Sequence, residues 1–175
     1  WVILPLMLAP LLWLPRRANI TAFLGGFVAL FFAFFAWIIP VDTALRISAD
    51  ISVKIAPDLS VFGRQILLSP ERQPLLVLIY GLAALWFFGS SAAAIARRLV
   101  PVGLAITALM VASLAVEPFL YAALIIQTVV LLSVPLLSPS DEKPGRGVLR
   151  FLIYQTLAMP FILFAGWLLA GVESS

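Results

Sequence analysis

The chain has 175 residues, 63% hydrophobic and 11% charged, with 11 Lys and Arg against 8 Asp and Glu for a net charge of +3, and neither Cys nor His. A soluble domain carries about a quarter of its residues charged, and a water-soluble fold of this size has too little interior to hide so much apolar surface. The missing Cys and His exclude disulfides, thiolate chemistry, haem ligation by His and the usual zinc sites, and the basic residues cluster at the ends of apolar runs, which is a topology signal and not a nucleic-acid patch.

A hydrocarbon core of about 30 Å takes roughly 20 apolar residues per helix, and uncharged stretches of that kind predict an all-α membrane protein, a bundle of about six transmembrane helices in one domain. The first run, residues 1–14, is short, lacks an initiator methionine and reads as a helix whose start has been cut away; it stops at Pro15-Arg16-Arg17. The second covers residues 20–40 and contains FVALFFAFFAWIIP. In the segment that follows, LRISADISVKI (residues 45–55) alternates apolar or small with polar residues, the period of a half-buried strand. Ala56-Pro57-Asp58 reads as a turn and residues 59–62 as a shorter second strand, predicting an external β-hairpin between helices two and three.

The third run, residues 74–96, ends at Arg97-Arg98. Residues 99–137 are interrupted only by Glu117, too long a stretch for one crossing and right for two, residues 99–116 and 118–137. Glu117-Pro118 is the natural turn, because Pro suits the first turn of a helix and an acid favours its N-terminus. After SPSDEKPGRG the sixth run covers residues 148–172.

Basic residues on alternate sides set the orientation. One side receives Arg16, Arg17, Arg97, Arg98, Lys143, Arg146 and Arg150; the other receives Arg46, Lys54, Arg64 and Arg72, balanced by Asp42, Asp50, Asp58 and Glu71. The positive-inside rule then places the N-terminus outside and the clusters in the cytoplasm, and the membrane expected is a bacterial plasma membrane. Trp13, Trp37 and Trp167 fall near the predicted interfaces, where indoles prefer to sit.

Polar residues within spans cost free energy unless they find a partner, so they are the candidates for chemistry. No Asp, Glu, Lys or Arg lies deep in a predicted span, and the deepest strongly polar side chains are Gln127 and Gln155. Each reads either as a link in a hydrated proton or ion path or as an interhelical hydrogen bond, and position alone favours the bond. Pro160 interrupts the sixth run and frees the carbonyl of Thr156, a kink that in transporters often lines a cavity. Glu117 sits at a helix end, where a cap or a lipid-headgroup contact is the default. Ala108 and Ala112 are spaced for close helix packing, and Ser90 and Ser91 suggest a similar contact. Phosphate loops, nucleophile elbows, paired carboxylates and metal-ligand clusters are absent from the sequence, which argues against a self-contained hydrolase or kinase.

Three stretches carry a family resemblance: GRQILLSPERQPLLVLIYGLAALWFFGS entering the third helix, the pair LAVEPFLYAALIIQTVVLLSVPLL, and the closing GVLRFLIYQTLAMPFILFAGWLL after a basic loop. In this order, with an outside N-terminus and an external hairpin, they resemble the N-terminal part of the antiporter-like membrane subunits of NADH:quinone oxidoreductase (respiratory complex I) and of related multi-subunit cation/proton antiporters. The resemblance covers most of the chain. It implies a non-catalytic subunit contributing to proton translocation, with no cofactor in this chain, lipid and sister membrane subunits as partners, and quinone reached only through those subunits. In that family the fifth helix carries a buried glutamate that pairs with a lysine of a seventh helix. Matching its apolar-apolar-Glu step to Ile125-Ile126-Gln127 puts Gln127 at the glutamate's position, a departure, because a carboxamide cannot release a proton. The alternatives are a non-conducting structural or assembly subunit and an unrelated multi-pass transporter or lipid-handling protein.

Overall fold

The computed structural model describes residues 1–15, 17–39, 44–48, 51–54, 58–61, 64–68, 70–92, 96–117, 120–138 and 145–173. Six α-helices follow the apolar runs: α1 Ile3–Leu11, α2 Ala18–Ile38, α3 Gln73–Ser90, α4 Ala96–Ala115, α5 Leu120–Leu137 and α6 Arg146–Glu173. Among the described residues four stretches are long and apolar enough to cross a membrane: Ala18–Ile38, Pro70–Ser90, Arg98–Ala115 and Arg146–Leu168. Four such helices in one chain mark an integral membrane protein. The expected count of six spans is corrected by length: α1 has 9 residues, about 14 Å of helix, and the apolar stretch Tyr121–Leu137 of α5 is shorter than the other spans.

Close packing comes from small side chains, as it must where lipid tails are as apolar as the helices they surround. On α2 the buried positions are Thr21, Ala22, Gly25, Gly26, Ala29, Phe32, Ala33 and Ala36, spaced three and four apart on one face. Outside that face Phe23, Phe27, Phe31, Phe34 and Trp37 are exposed, so the small residues together with Phe32 face inward and the other rings are largely uncovered. A Cβ at Gly26 would lie 2.6 Å from the ring of Phe88, and one at Gly25 would overlap Val100. The α2–α3 seam is filled by rings: Phe27 meets Phe88 edge-on at 5.5 Å and Phe32 meets Tyr80 at 5.3 Å between centroids. Tyr80 is fully buried, and its hydroxyl donates to the carbonyl of Trp1 at 2.6 Å. On α4 the predicted packing pair Ala108 and Ala112 is buried; Ser90 is buried too, its hydroxyl donating to the Phe87 carbonyl at 2.7 Å.

α4 is the hub, packing against α1, α2, α3 and α5, whereas α6 packs against α5. In the span Arg146–Leu168 only Gly166 is buried.

The region between α2 and α3 differs from the single hairpin expected. Among the described residues five short strands are present: β1 Ala44–Ser48, β2 Ile51–Lys54, β3 Asp58–Val61, β4 Arg64–Leu67 and β5 Val116–Glu117. β1 pairs antiparallel with β2, and β3 with β4. The stretch read as one strand over residues 45–55 therefore reverses between Ser48 and Ile51, and residues 59–61 pair with the chain ahead of them, not with residues 45–55. Period-two alternation cannot reveal such a reversal, because both arms of a hairpin alternate. The predicted turn residues Ala56 and Pro57, and Phe62, lie outside the described residues, as do Asp42, Asp50, Arg16, Pro118 and Lys143.

β5 joins α4 to α5 and pairs with β4, Ile66 opposite Val116 and Gln65 opposite Glu117. That pairing places the end of α4 and the start of α3 at the same end of the bundle. Two side chains fix the same corner. Arg72, in the 3-10 turn Pro70–Arg72, donates to the carbonyl of Leu114, and Gln73 Nε2 donates to the carbonyl of Ala36 at 2.8 Å. Both acceptors belong to the last turns of helices, whose carbonyls have no partner within the helix.

Candidate functional site

α5 and α6 are packed neighbours joined by a short connection, so they run antiparallel. Gln127 is ten residues before the last residue of α5 and Gln155 nine after the first residue of α6. At 1.5 Å per residue, Gln127 is about 10 Å of helix from the start of α5 and about 15 Å from its end, near the middle of its apolar run, whereas Gln155 is about 6 Å into the uncharged run of α6 that begins at Phe151. Both side chains are half-buried, and neither has a hydrogen-bond partner among the described residues. Hydroxyls of α4 and α5 are committed to their own helices: Thr107 donates to the Gly103 carbonyl at 2.8 Å, Thr128 to Leu124 at 2.9 Å and Ser133 to Val130 at 2.6 Å. The carboxamides are left as donors and acceptors able to relay or orient water, though not to titrate.

Glu117 is not at the depth of Gln127. Its backbone is in β5, and the seven residues from Leu120 to Gln127 put about 10 Å of helix between that end and the glutamine. Pro160 is exposed, and α6 continues through it as one helix to Glu173. Thr156 is exposed as well. Among the described residues no group of three His, Cys, Asp or Glu could hold a metal ion.

A second feature lies beside α5. The residues Leu99, Gly103, Ile106, Thr107 and Met110 of α4 form the floor of a groove whose walls are α3 and α5; its volume is about 480 Å³. Nearly all of the lining is apolar, and Trp86 stands in the α3 wall, 66% exposed. The groove was not visible in the sequence, because it depends on which helices become neighbours. The Arg72 and Gln73 contacts were equally hidden, their acceptors lying 42 and 37 residues away. The small-residue face of α2 did leave a signal, the spacing Gly25, Ala29, Ala33.

No family model, curated protein or solved structure matches the chain.

Proposed function

We propose that the chain is a membrane subunit contributing to proton translocation in an NADH:quinone oxidoreductase-like or cation/proton antiporter complex. Its partners are lipid and sister membrane subunits, which hold the redox cofactors and the quinone site, and its basic clusters face the cytoplasm of a bacterium. Support comes from the order of motifs in the sequence. The observation that carries the reading is Gln127, half-buried at mid-depth of α5 and without a protein partner among the described residues. A carboxamide without a protein partner at mid-depth is a place for water in a layer that otherwise excludes it.

The test is Gln127→Glu in the full-length subunit, with proton pumping by the assembled complex as the readout. A titratable group at this point of a path changes the pumping rate and its pH dependence. Pumping and assembly both indifferent to the change would remove the residue from the path.

A non-conducting structural subunit is the second reading, favoured by the lack of any Asp, Glu, Lys or Arg from Ala18 to Ile38, from Leu99 to Ala115 and from Leu120 to Leu137. It expects Gln127→Leu to alter assembly or stability while pumping per assembled complex is unchanged.

A further inference from the structure

On α6 the charged start and the uncovered flank are one continuous surface. Arg146, Arg150, Tyr154, Leu157 and Phe161 follow one another at steps of four and three residues, the spacing that stacks side chains on one side of a helix, and all five are exposed. The side turned to α5 is the other one: Gly166, the buried residue of this span, is nine residues from Leu157, two and a half turns and so half-way round the helix. Down the exposed column the order is two guanidinium groups, then a phenol about 6 Å further along the axis, then hydrocarbon. That is the order of polarity met on passing from lipid headgroups into acyl chains.

The charge at the head of this column is uncompensated within the described residues. Neither arginine has a hydrogen bond or ion pair there, nor has Tyr154, and the first turn of α6 carries no acid; the nearest acids in sequence are Asp141 and Glu142. Two planar guanidinium forks one turn apart offer the paired donors that phosphate oxygens accept, and a lipid with net negative charge neutralises what a zwitterionic one leaves standing. The other described arginines of this end lack the flank beneath. Below Arg17 the next two turns of α2 present Thr21 and Gly25, both buried, and Arg98 is already engaged within the protein.

We propose that this flank of α6 binds an anionic phospholipid, its phosphate held by Arg146 and Arg150, its glycerol region beside the Tyr154 hydroxyl and an acyl chain along Leu157 and Phe161. The site requires only that α6 lies in a bilayer, whether or not the chain conducts protons. The probe is the full chain with its five tryptophans replaced by Phe and Leu157→Trp as the sole indole, reconstituted into phosphatidylcholine vesicles containing a minor fraction of phosphatidylglycerol, either lipid being brominated in turn on its acyl chains. A companion protein keeps Trp86 alone, an exposed residue one turn before the end of α3 and so at the same end of the bundle. At position 157 brominated phosphatidylglycerol is expected to quench at least about fivefold more effectively per mole fraction than brominated phosphatidylcholine, the factor that one arginine's attraction supplies, and to lose that advantage as salt rises. The preference at Trp86 should be smaller, and R146Q/R150Q, altered only at exposed residues, should bring position 157 down to it while leaving Trp86 unchanged. Equal preference at the two reporters, the result for the diffuse charge of that end, overturns the proposal, and so does a preference at position 157 that survives R146Q/R150Q. If the tryptophan replacements prevent folding, native mass spectrometry of the otherwise unaltered chain decides: phosphatidylglycerol retained at least about fivefold over phosphatidylcholine and lost with R146Q/R150Q supports the site, and equal retention in both proteins overturns it.

Discussion

Tyr80 shows how a polar atom is tolerated among hydrocarbon. Its ring fills the α2–α3 seam against Phe32, and its hydroxyl reaches the Trp1 carbonyl, so neither part is left without a partner. Tyr80→Phe keeps the ring and removes the donor, leaving the carbonyl unpaired. The expected cost is about 1 kcal/mol, read as a modest fall in the thermal unfolding midpoint in detergent. Tyr80→Ala also empties the seam and should cost about 3–5 kcal/mol. If the two variants unfold at the same temperature, the ring contributes nothing and this account of the seam fails. Gln127 and Gln155 follow the opposite rule, being half-buried with no protein partner among the described residues. Their positions could be read from the sequence, because they are the deepest strongly polar residues of long apolar runs. What could not be read is whether either side chain meets a partner, since that depends on helix rotation.

At the scale of elements, small residues decide which helices approach. Gly26 abuts Phe88, whereas a Cβ at Gly81 would meet nothing within 4 Å. The same substitution should therefore have opposite signs at the two sites. Gly81→Ala should leave stability unchanged or raise it by about 0.4–1 kcal/mol through lost backbone freedom in the unfolded chain, and Gly26→Ala should lower it by about 1–3 kcal/mol by overpacking. Thermal unfolding of the two variants side by side checks this; a shift of the same sign in both refutes the steric argument. The helices themselves were legible, because runs of apolar residues between charges leave few other arrangements in lipid. Their number as membrane spans was less so, since residues 1–14 contain Pro5 and Pro10 and give α1 only 9 helical residues. The strands were misdrawn for a different reason. A period of two identifies extended chain but is blind to where that chain turns back, so residues 45–55 looked like one strand when they are the two arms of a pair.

For the molecule as a whole, the strand pairing and the Arg72 and Gln73 contacts gather the end of α2, the start of α3, the end of α4 and the start of α5 at one end. The arginine-rich helix starts gather at the other. The chain lacks cysteine, so a single introduced thiol can report which end faces which compartment. With S60C, in β3, and G145C, just before α6, a membrane-impermeant maleimide added to intact cells should label the first and reach the second only after permeabilisation. Labelling of both from the same side would contradict the arrangement; labelling in the reverse order would overturn the placement of the N-terminus outside. Composition and charge asymmetry were enough to anticipate this two-ended plan. The groove over α4 was beyond them, because it arises where α3 and α5 both settle on one helix.

The slender attachment of α6 has a mechanical consequence. From Phe151 to Val172 it carries 22 uncharged residues, about 33 Å of helix, slightly more than the hydrocarbon is thick. A rod longer than its slab must lean. With α5 as its packed neighbour and nearly all the flank of its span exposed, the lean of α6 is less constrained within this chain than that of α2 or α4, which are wedged among several helices.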